Sequence, residues 1–150
     1  MSRGKRTMPP TYFLVSLVAL AALHYWIPVV RLIPYPWNLL GALPILLGIG
    51  LNLSADRLFK SHETTHKPFQ ESSAVITTGV FGWTRNPMYL GMVLILLGIG
   101  WIAGSATALV PWAVFGVLID RVFIQAEESM LAARFPEKWQ EYSSQTRRWV

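Results

Sequence analysis

The sequence predicts an all-α integral membrane protein with four transmembrane helices, a cytoplasmic loop and a C-terminal amphipathic helix. Three observations carry that prediction. Hydrophobic residues make up 53% of the 150-residue chain and charged residues 14%, where soluble domains average about a quarter charged, and mean hydropathy is +0.39. The apolar residues are gathered into four blocks instead of being spread along the chain. Lys and Arg are shared unequally among the connections, as topology requires of a membrane protein.

The first block is residues 12–33 (YFLVSLVALAALHYWIPVVRLI), with Pro28 placed to kink its far end. It is too long for a signal peptide, and no small-residue cleavage site follows it. The second is 37–55 (WNLLGALPILLGIGLNLSA), the third 88–103 (MYLGMVLILLGIGWIA) and the fourth 106–124 (ATALVPWAVFGVLIDRVFI). A helix needs about 20 residues to cross a hydrocarbon core of roughly 30 Å. The third block is short, but Pro87 suits a first helical turn and the residues before it reach the interface. The whole of 1–150 reads as one membrane domain, with a loop at 56–87 and a tail at 125–150.

Of 13 Lys and Arg, three precede the first block (Arg3, Lys5, Arg6), four lie between the second and third (Arg57, Lys60, Lys67, Arg85) and five lie in or after the end of the fourth. Arg31 alone falls near the first turn. By the positive-inside rule both termini and the 56–87 loop are cytoplasmic, which an even number of spans requires. The formal net charge of +5 then reads as topology and contact with anionic lipid heads, not as nucleic-acid binding, because no base-stacking or groove-reading element accompanies it. The chain has no cysteine, which excludes disulfides, thiolate metal sites and thiol nucleophiles. His24, His62 and His66 lack the grouping of a zinc site, so no metal is expected.

The AGSAT connection at 103–107 is short, so the third and fourth helices form an antiparallel hairpin. At 1.5 Å per residue, Pro87 to Ala103 rises about 24 Å and Thr107 to Glu127 about 30 Å. Arg85 and Asn86, and the pair Glu127–Glu128, therefore return to similar depth on the cytoplasmic side. Apolar or aromatic residues at 131, 135, 139 and 142 give the tail a helical spacing with a break at Pro136. A thirty-residue polar loop on one side and this tail on the other enclose the polar cluster, an arrangement suited to a pocket at the membrane surface.

The order of motifs resembles the isoprenylcysteine carboxyl methyltransferase and phospholipid methyltransferase superfamily. TTHKPFQESSAVITTGVFGWTRNPMYLG is similar to that family's loop, which ends in Thr-Gly, an aromatic and Arg-His/Asn-Pro-x-Tyr-x-Gly. EESMLAARFPEKWQEYSSQTRRW is similar to its Glu-Glu-x-x-Leu-x-x-x-Phe-Gly-x-x-Tyr-x-x-Tyr tail, and the two together cover residues 64–149. The resemblance implies S-adenosylmethionine as methyl donor, bound between the Arg-Asn-Pro loop and the Glu pair. By matching positions the cofactor-binding residues are Thr78, Gly79, Arg85, Asn86, Pro87, Tyr89, Glu127 and Glu128, with Arg85 and Asn86 nearest the chemistry. A sulfonium and an α-ammonium favour carboxylates and aromatic faces, and the donor's carboxylate favours Arg85 or backbone amides. Methyl transfer is an in-line displacement for which alignment matters more than proton movement. The implied acceptor is a small amphiphilic or lipid-like molecule, and the implied location a bacterial inner membrane, with lipid as the surrounding partner.

The departures are specific. Asn86 stands where eukaryotic members carry histidine, as in the bacterial branch, which argues against a general base there. Pro136 and Trp139 replace Gly and Tyr of the tail pattern. The spans are fewer than in the eukaryotic prenylcysteine enzymes, which argues against a prenylcysteine acceptor.

Taken singly, Arg85 reads as a topology anchor, the Glu pair as a solvated face and Tyr89 as part of an aromatic belt. Asp120 and Arg121, inside the fourth block, read as residues snorkelling to the interface. His24 reads as a polar group satisfied in a helix contact, and the GIG repeats at 48–50 and 98–100 as close-packing sites. Two other functions share the architecture. A small four-helix transporter would want an acid deep in its first span and short loops, and this chain has neither. A membrane reductase would take NADPH where the methyl donor is expected.

Overall fold

The structure is a computed structural model and describes residues 8–61 and 75–150. Arg3, Lys5, Arg6, His62, Thr64, Thr65, His66, Lys67 and Pro68 lie outside the described residues. Among the described residues all repeating secondary structure is helical.

α1 spans Pro9–Trp26. Pro9 and Pro10 occupy its first turn, where a missing N–H costs no hydrogen bond. The helix does not continue to residue 33 as the apolar block suggests. Pro28 disfavours helical backbone in the residue before it, and Ile27 sits at φ −135°, ψ 60°. The following stretch crosses to the turn between the third and fourth apolar helices. There Leu32 and Ile33 donate to the Gly104 carbonyl (2.8 and 3.2 Å) and Ala106 donates to the Val30 carbonyl (2.9 Å).

A 3₁₀ turn at Trp37–Gly41 leads into α2, Ala42–Ser61. The helix outlasts the apolar block by its polar end DRLFKS, where Asp56 and Lys60 pair one turn apart. After the loop a second 3₁₀ turn, Gly79–Gly82, precedes α3, Pro87–Ala103. Gly104, at φ +76°, closes α3 in the left-handed conformation that glycine adopts without cost. α4 spans Ala106–Ile119, and a π-helical turn at Asp120–Ile124 passes it without a break into α5, Gln125–Arg134. The tail is thus two helices: the chain bends at Phe135 (φ −132°, ψ 60°) ahead of Pro136, and α6 runs Pro136–Gln145.

α2 and α3 pack antiparallel, backbone against backbone. Gly41, at the end of the 3₁₀ turn, and Gly48, seven residues on in α2, face Gly98 and Gly91, seven apart on α3. A Cβ at Gly48 would lie 2.5 Å from the Gly91 carbonyl oxygen, and one at Gly98 would collide with that of Gly41. Small residues let helices in lipid approach this closely. α1 packs on α4 and its extension through rings: Phe13 meets Phe115 edge-on at 5.9 Å and Tyr12 meets Phe123 at 5.4 Å. The buried core joins Leu20, Tyr89, Leu96, Phe115, Ile119 and Phe123 across α1, α3 and the long α4 helix.

Two helical stretches, Trp37–Ser61 and Ala106–Arg134, are long and apolar enough to cross a membrane, and Pro87–Ala103 is a shorter apolar helix. The outward faces are apolar as well: Val18 on α1, Leu46 on α2 and Val117 on α4 are all about two-thirds exposed. Exposed Tyr25, Trp26, Tyr35 and Trp37 gather at one end of the helices and Trp83 lies at the other, as interfacial aromatics do. Such continuous apolar surface suits lipid and would be a liability in water.

Candidate functional site

The site is built at the end of the bundle where α3 begins. Pro87 supplies the first turn of α3 and holds Asn86 outside the helix, at φ −131°, ψ 56°. The lip it creates grips the last residues of the chain. Arg85 N–H donates to the Arg147 carbonyl at 3.0 Å. The Thr84 hydroxyl and the Asn86 amide both donate to the Arg148 carbonyl at 3.1 Å, and Asn86 N–H donates back to Thr84 Oγ1 at 3.2 Å. Thr84, Asn86 and Thr146 are all buried. Residues 146–149 therefore form a strap fastened across the start of α3.

The carboxylates come from the far side of the hairpin. In an unbroken α-helix, residues 120 and 127 would share a face. The π turn admits one extra residue, and Asp120 shares its partner with Glu128 instead. Arg148 joins them: its Nε and Nη2 donate to Glu128 Oε2 at 3.1 and 2.7 Å, and its Nη1 lies 3.4 Å from Asp120 Oδ1. Gln125 donates to the other Asp120 oxygen at 3.4 Å. Glu127, one position away, faces α3, and Tyr89 O–H donates to it at 2.7 Å. Arg85 completes the cluster, its Nε 3.5 Å from Glu128 Oε1 and its guanidinium 5.5 Å from the Trp139 ring centre.

Two atoms at the centre are left over. Arg85 Nε and Glu128 Oε1 are buried, and 3.5 Å separates them without a hydrogen bond. Buried polar atoms are almost always satisfied, so this pair is suited to a ligand that donates to the carboxylate and accepts from the guanidinium. The cluster as a whole brings together three acidic side chains and two guanidiniums. Tyr142 supports it from α6 by donating to the Phe81 carbonyl at 2.6 Å, and burial raises its hydroxyl pKa well above the ordinary value. The hydrogen bond to Glu128 raises the pKa of Arg148, so this guanidinium stays charged.

Of the residues expected from the sequence, Arg85, Tyr89, Glu127 and Glu128 meet within this network, with Pro87 setting the lip. Asn86 sits at its edge, its amide committed to the strap. Thr78 and Gly79 stand apart on the exposed 3₁₀ turn: Gly79 has φ +60° and packs on Leu58 of α2, and the Thr78 carbonyl accepts from Phe81 N–H. Asp120 overturns the snorkelling reading, because it pairs inward with Arg148 and Gln125 while Arg121 is exposed. Arg148 was not legible as a site residue. It lies beyond the last helix, and no periodicity points from it to a partner twenty positions upstream. The substitution at Trp139 does register in the site, where its ring takes the guanidinium of Arg85.

Beside the network, a groove of about 390 Å³ opens between α3 and α4. Val93, Trp112, Gly116 and Val117 supply its apolar lining, Asp120 and Arg121 its charged lining, and Trp149 of the strap also borders it. A Cβ at Gly116 would meet no atom within 4 Å, so the groove is open at this position.

A family model described as phospholipid methyltransferase matches residues 37–138. That stretch holds the lip, the hairpin and the Glu pair, and it ends before Trp139 and the strap. The Lamin-B receptor of Drosophila melanogaster is 28% identical over 99 residues, 65% of this chain and 13% of that protein. The chain thus spans about an eighth of the length of this relative. No solved structure matches it significantly. With more than half of its residues covered by the family model, and with the apolar helices that a membrane enzyme needs, the chain belongs to the phospholipid methyltransferase family.

Proposed function

We propose that the protein transfers a methyl group from S-adenosylmethionine to a small amphiphilic or lipid-like acceptor at the cytoplasmic surface of the membrane. The observation that carries this reading is the buried, unbonded pair Arg85 Nε and Glu128 Oε1. S-adenosylmethionine carries a carboxylate suited to Arg85 and an ammonium and ribose hydroxyls suited to Glu128. When bound, it supplies a methyl group activated by the sulfonium. The chain's own contribution is to orient: Tyr89 fixes Glu127, Arg148 and Asp120 fix Glu128, and Trp139 flanks the Arg85 guanidinium. Thr78, Gly79, Asn86 and Pro87 are assigned to the donor site through the family motif, with Asn86 acting through the shape of the lip.

The apolar groove beside Asp120 supports the acceptor class. It can take a hydrocarbon portion from the bilayer side while the reacting group reaches the polar end. The reading also places four spans in the membrane, with α1 and α3 joining the two longer stretches, and puts both termini and the 56–87 loop on the cytoplasmic side. Its basis is the distribution of basic residues, with Arg57, Lys60 and Arg85 at the site end.

Calorimetric titration of the detergent-purified protein with S-adenosylmethionine and S-adenosylhomocysteine tests the reading, with Arg85→Ala and Glu128→Ala alongside. Micromolar binding that both variants lose supports it. A folded wild type that binds neither ligand sinks it, and binding of NADPH in their place would favour a reductase of related architecture.

A further inference from the structure

We propose that Arg148 is a positioning residue for the donor site, acting through Glu128 and held in turn by Asp120. The inference rests on the reading of Glu128 as a donor-binding group. It goes beyond the family match, which ends ten residues before Arg148.

Glu128 has two carboxylate oxygens with different fates. Oε2 takes both hydrogen bonds from Arg148, at 2.7 and 3.1 Å, whereas Oε1 is buried without one. Such two-pronged contact with one oxygen fixes the rotation of the carboxylate and leaves the other oxygen to a ligand. Asp120 restrains the Arg148 guanidinium through Nη1, and the strap restrains the residue's backbone, because Thr84 and Asn86 both donate to the Arg148 carbonyl.

The π turn gives the arrangement its reason. Without the extra residue, Asp120 would align with Glu127, and one guanidinium could not bridge Asp120 and Glu128 along a single face. The motif Arg-Asn-Pro then has a second task. Besides offering Arg85 to the site, it clamps the strap that carries Arg148, so the lip and the tail set the same carboxylate from opposite sides.

The test is a double-mutant cycle on S-adenosylhomocysteine affinity in detergent-purified full-length protein, with thermal unfolding as the control for folding. Arg148→Gln should weaken binding about tenfold, the worth of losing a hydrogen bond to a charged group. Arg148→Lys, which restores the charge without the two-pronged contact, should recover part of that loss, and Asp120→Asn should cost less, about threefold. In a Glu128→Gln background, Arg148→Gln should add less than twofold, because its target is gone. Additive losses in the two backgrounds would assign Arg148 a merely structural role and overturn the proposal, as would wild-type affinity in Arg148→Gln. Should Arg148→Gln fail to fold, Arg148→Lys and Asp120→Asn carry the same cycle with the same criterion. Absence of binding by the wild type would instead refute the methyltransferase reading itself, so the two failures are distinct.

Discussion

The two ends of the bundle are closed by opposite means. At the end where α1 stops and α2 begins, the crossing stretch meets the α3–α4 turn through backbone hydrogen bonds, from Leu32 and Ile33 to Gly104 and from Ala106 to Val30. The side chains that help are uncharged donors: Asn38 donates to the Ile102 carbonyl at 3.1 Å and the Trp101 indole to the Trp37 carbonyl at 3.2 Å. At the other end, Arg85, Glu128, Arg148 and Asp120 interlock by charge, with Glu127 held beside them by Tyr89. Buried polar atoms without a hydrogen bond occur at both ends, Asn38 Oδ1 at the first and Arg85 Nε and Glu128 Oε1 at the second. Satisfying backbone with backbone is the cheaper way to close a turn, since burying charge incurs a desolvation cost that pairing only partly offsets. An end that buries charge in this way carries a cost that the backbone-closed end avoids.

The strongest test of that contrast removes Glu128. In Glu128→Ala, Arg85 and Arg148 lose their shared carboxylate, and S-adenosylmethionine affinity is expected to fall about a hundredfold or more, roughly two tenfold steps of 1.4 kcal/mol. Calorimetry reads the affinity, and the melting temperature without ligand checks that the fold survives. A loss of stability without loss of affinity would make the charged end as architectural as the neutral one.

The next effect belongs to the helix contact that links the two ends. Gly98→Leu forces a side chain into the Gly41 carbonyl and Ile45, whose Cγ1 would lie 2.5 Å from the new Cβ. The cost is about 3 kcal/mol, the upper range for overpacking. It should appear as a lowered melting temperature, with donor affinity per folded molecule unchanged. Gly116→Ala makes the control, because a Cβ there meets no atom within 4 Å, and its melting temperature should stay near that of the wild type.

Much of this contrast was legible in the sequence, and what was not had a physical reason. Apolar blocks foretell helices because a chain in lipid must satisfy its backbone within each segment. The expectation that Arg85, Asn86 and the Glu pair face one another followed from a hairpin whose arms have similar length, whereas Tyr89 was named through the family motif. The end of α1 was misjudged, because hydropathy continues through Pro28 to Ile33 while the backbone cannot. The π turn left no mark at all: a single extra residue in the helix changes which faces align without changing composition. Asp120 and Arg148 were hidden by that turn, since their pairing depends on its one-residue shift and on a strap with no periodicity.

A smaller effect comes from the buttress behind the charged end. Tyr142→Phe removes the 2.6 Å hydrogen bond to the Phe81 carbonyl and leaves that acceptor without its donor. The expected cost is about 1 kcal/mol of stability. Donor affinity should fall only slightly, because Trp139 on the same helix still flanks Arg85.

The least effect should come from the neutral end. His24 Nδ1 and Ser105 Oγ form a hydrogen bond at 3.0 Å, which ties the last turn of α1 to the start of α4. Ser105→Ala removes it, yet the neighbouring backbone bonds from Ala106 to Val30 and from Leu32 to Gly104 involve no side chain and remain. The cost should stay near 0.5–1.5 kcal/mol, that of one ordinary hydrogen bond, and the melting temperature should fall by a few degrees. Donor affinity should match the wild type, because no charged group links this end to Glu128. If Ser105→Ala weakened S-adenosylhomocysteine binding as much as Arg148→Gln, the two ends would be coupled through α4, and the division between a structural end and a ligand-binding end would fail.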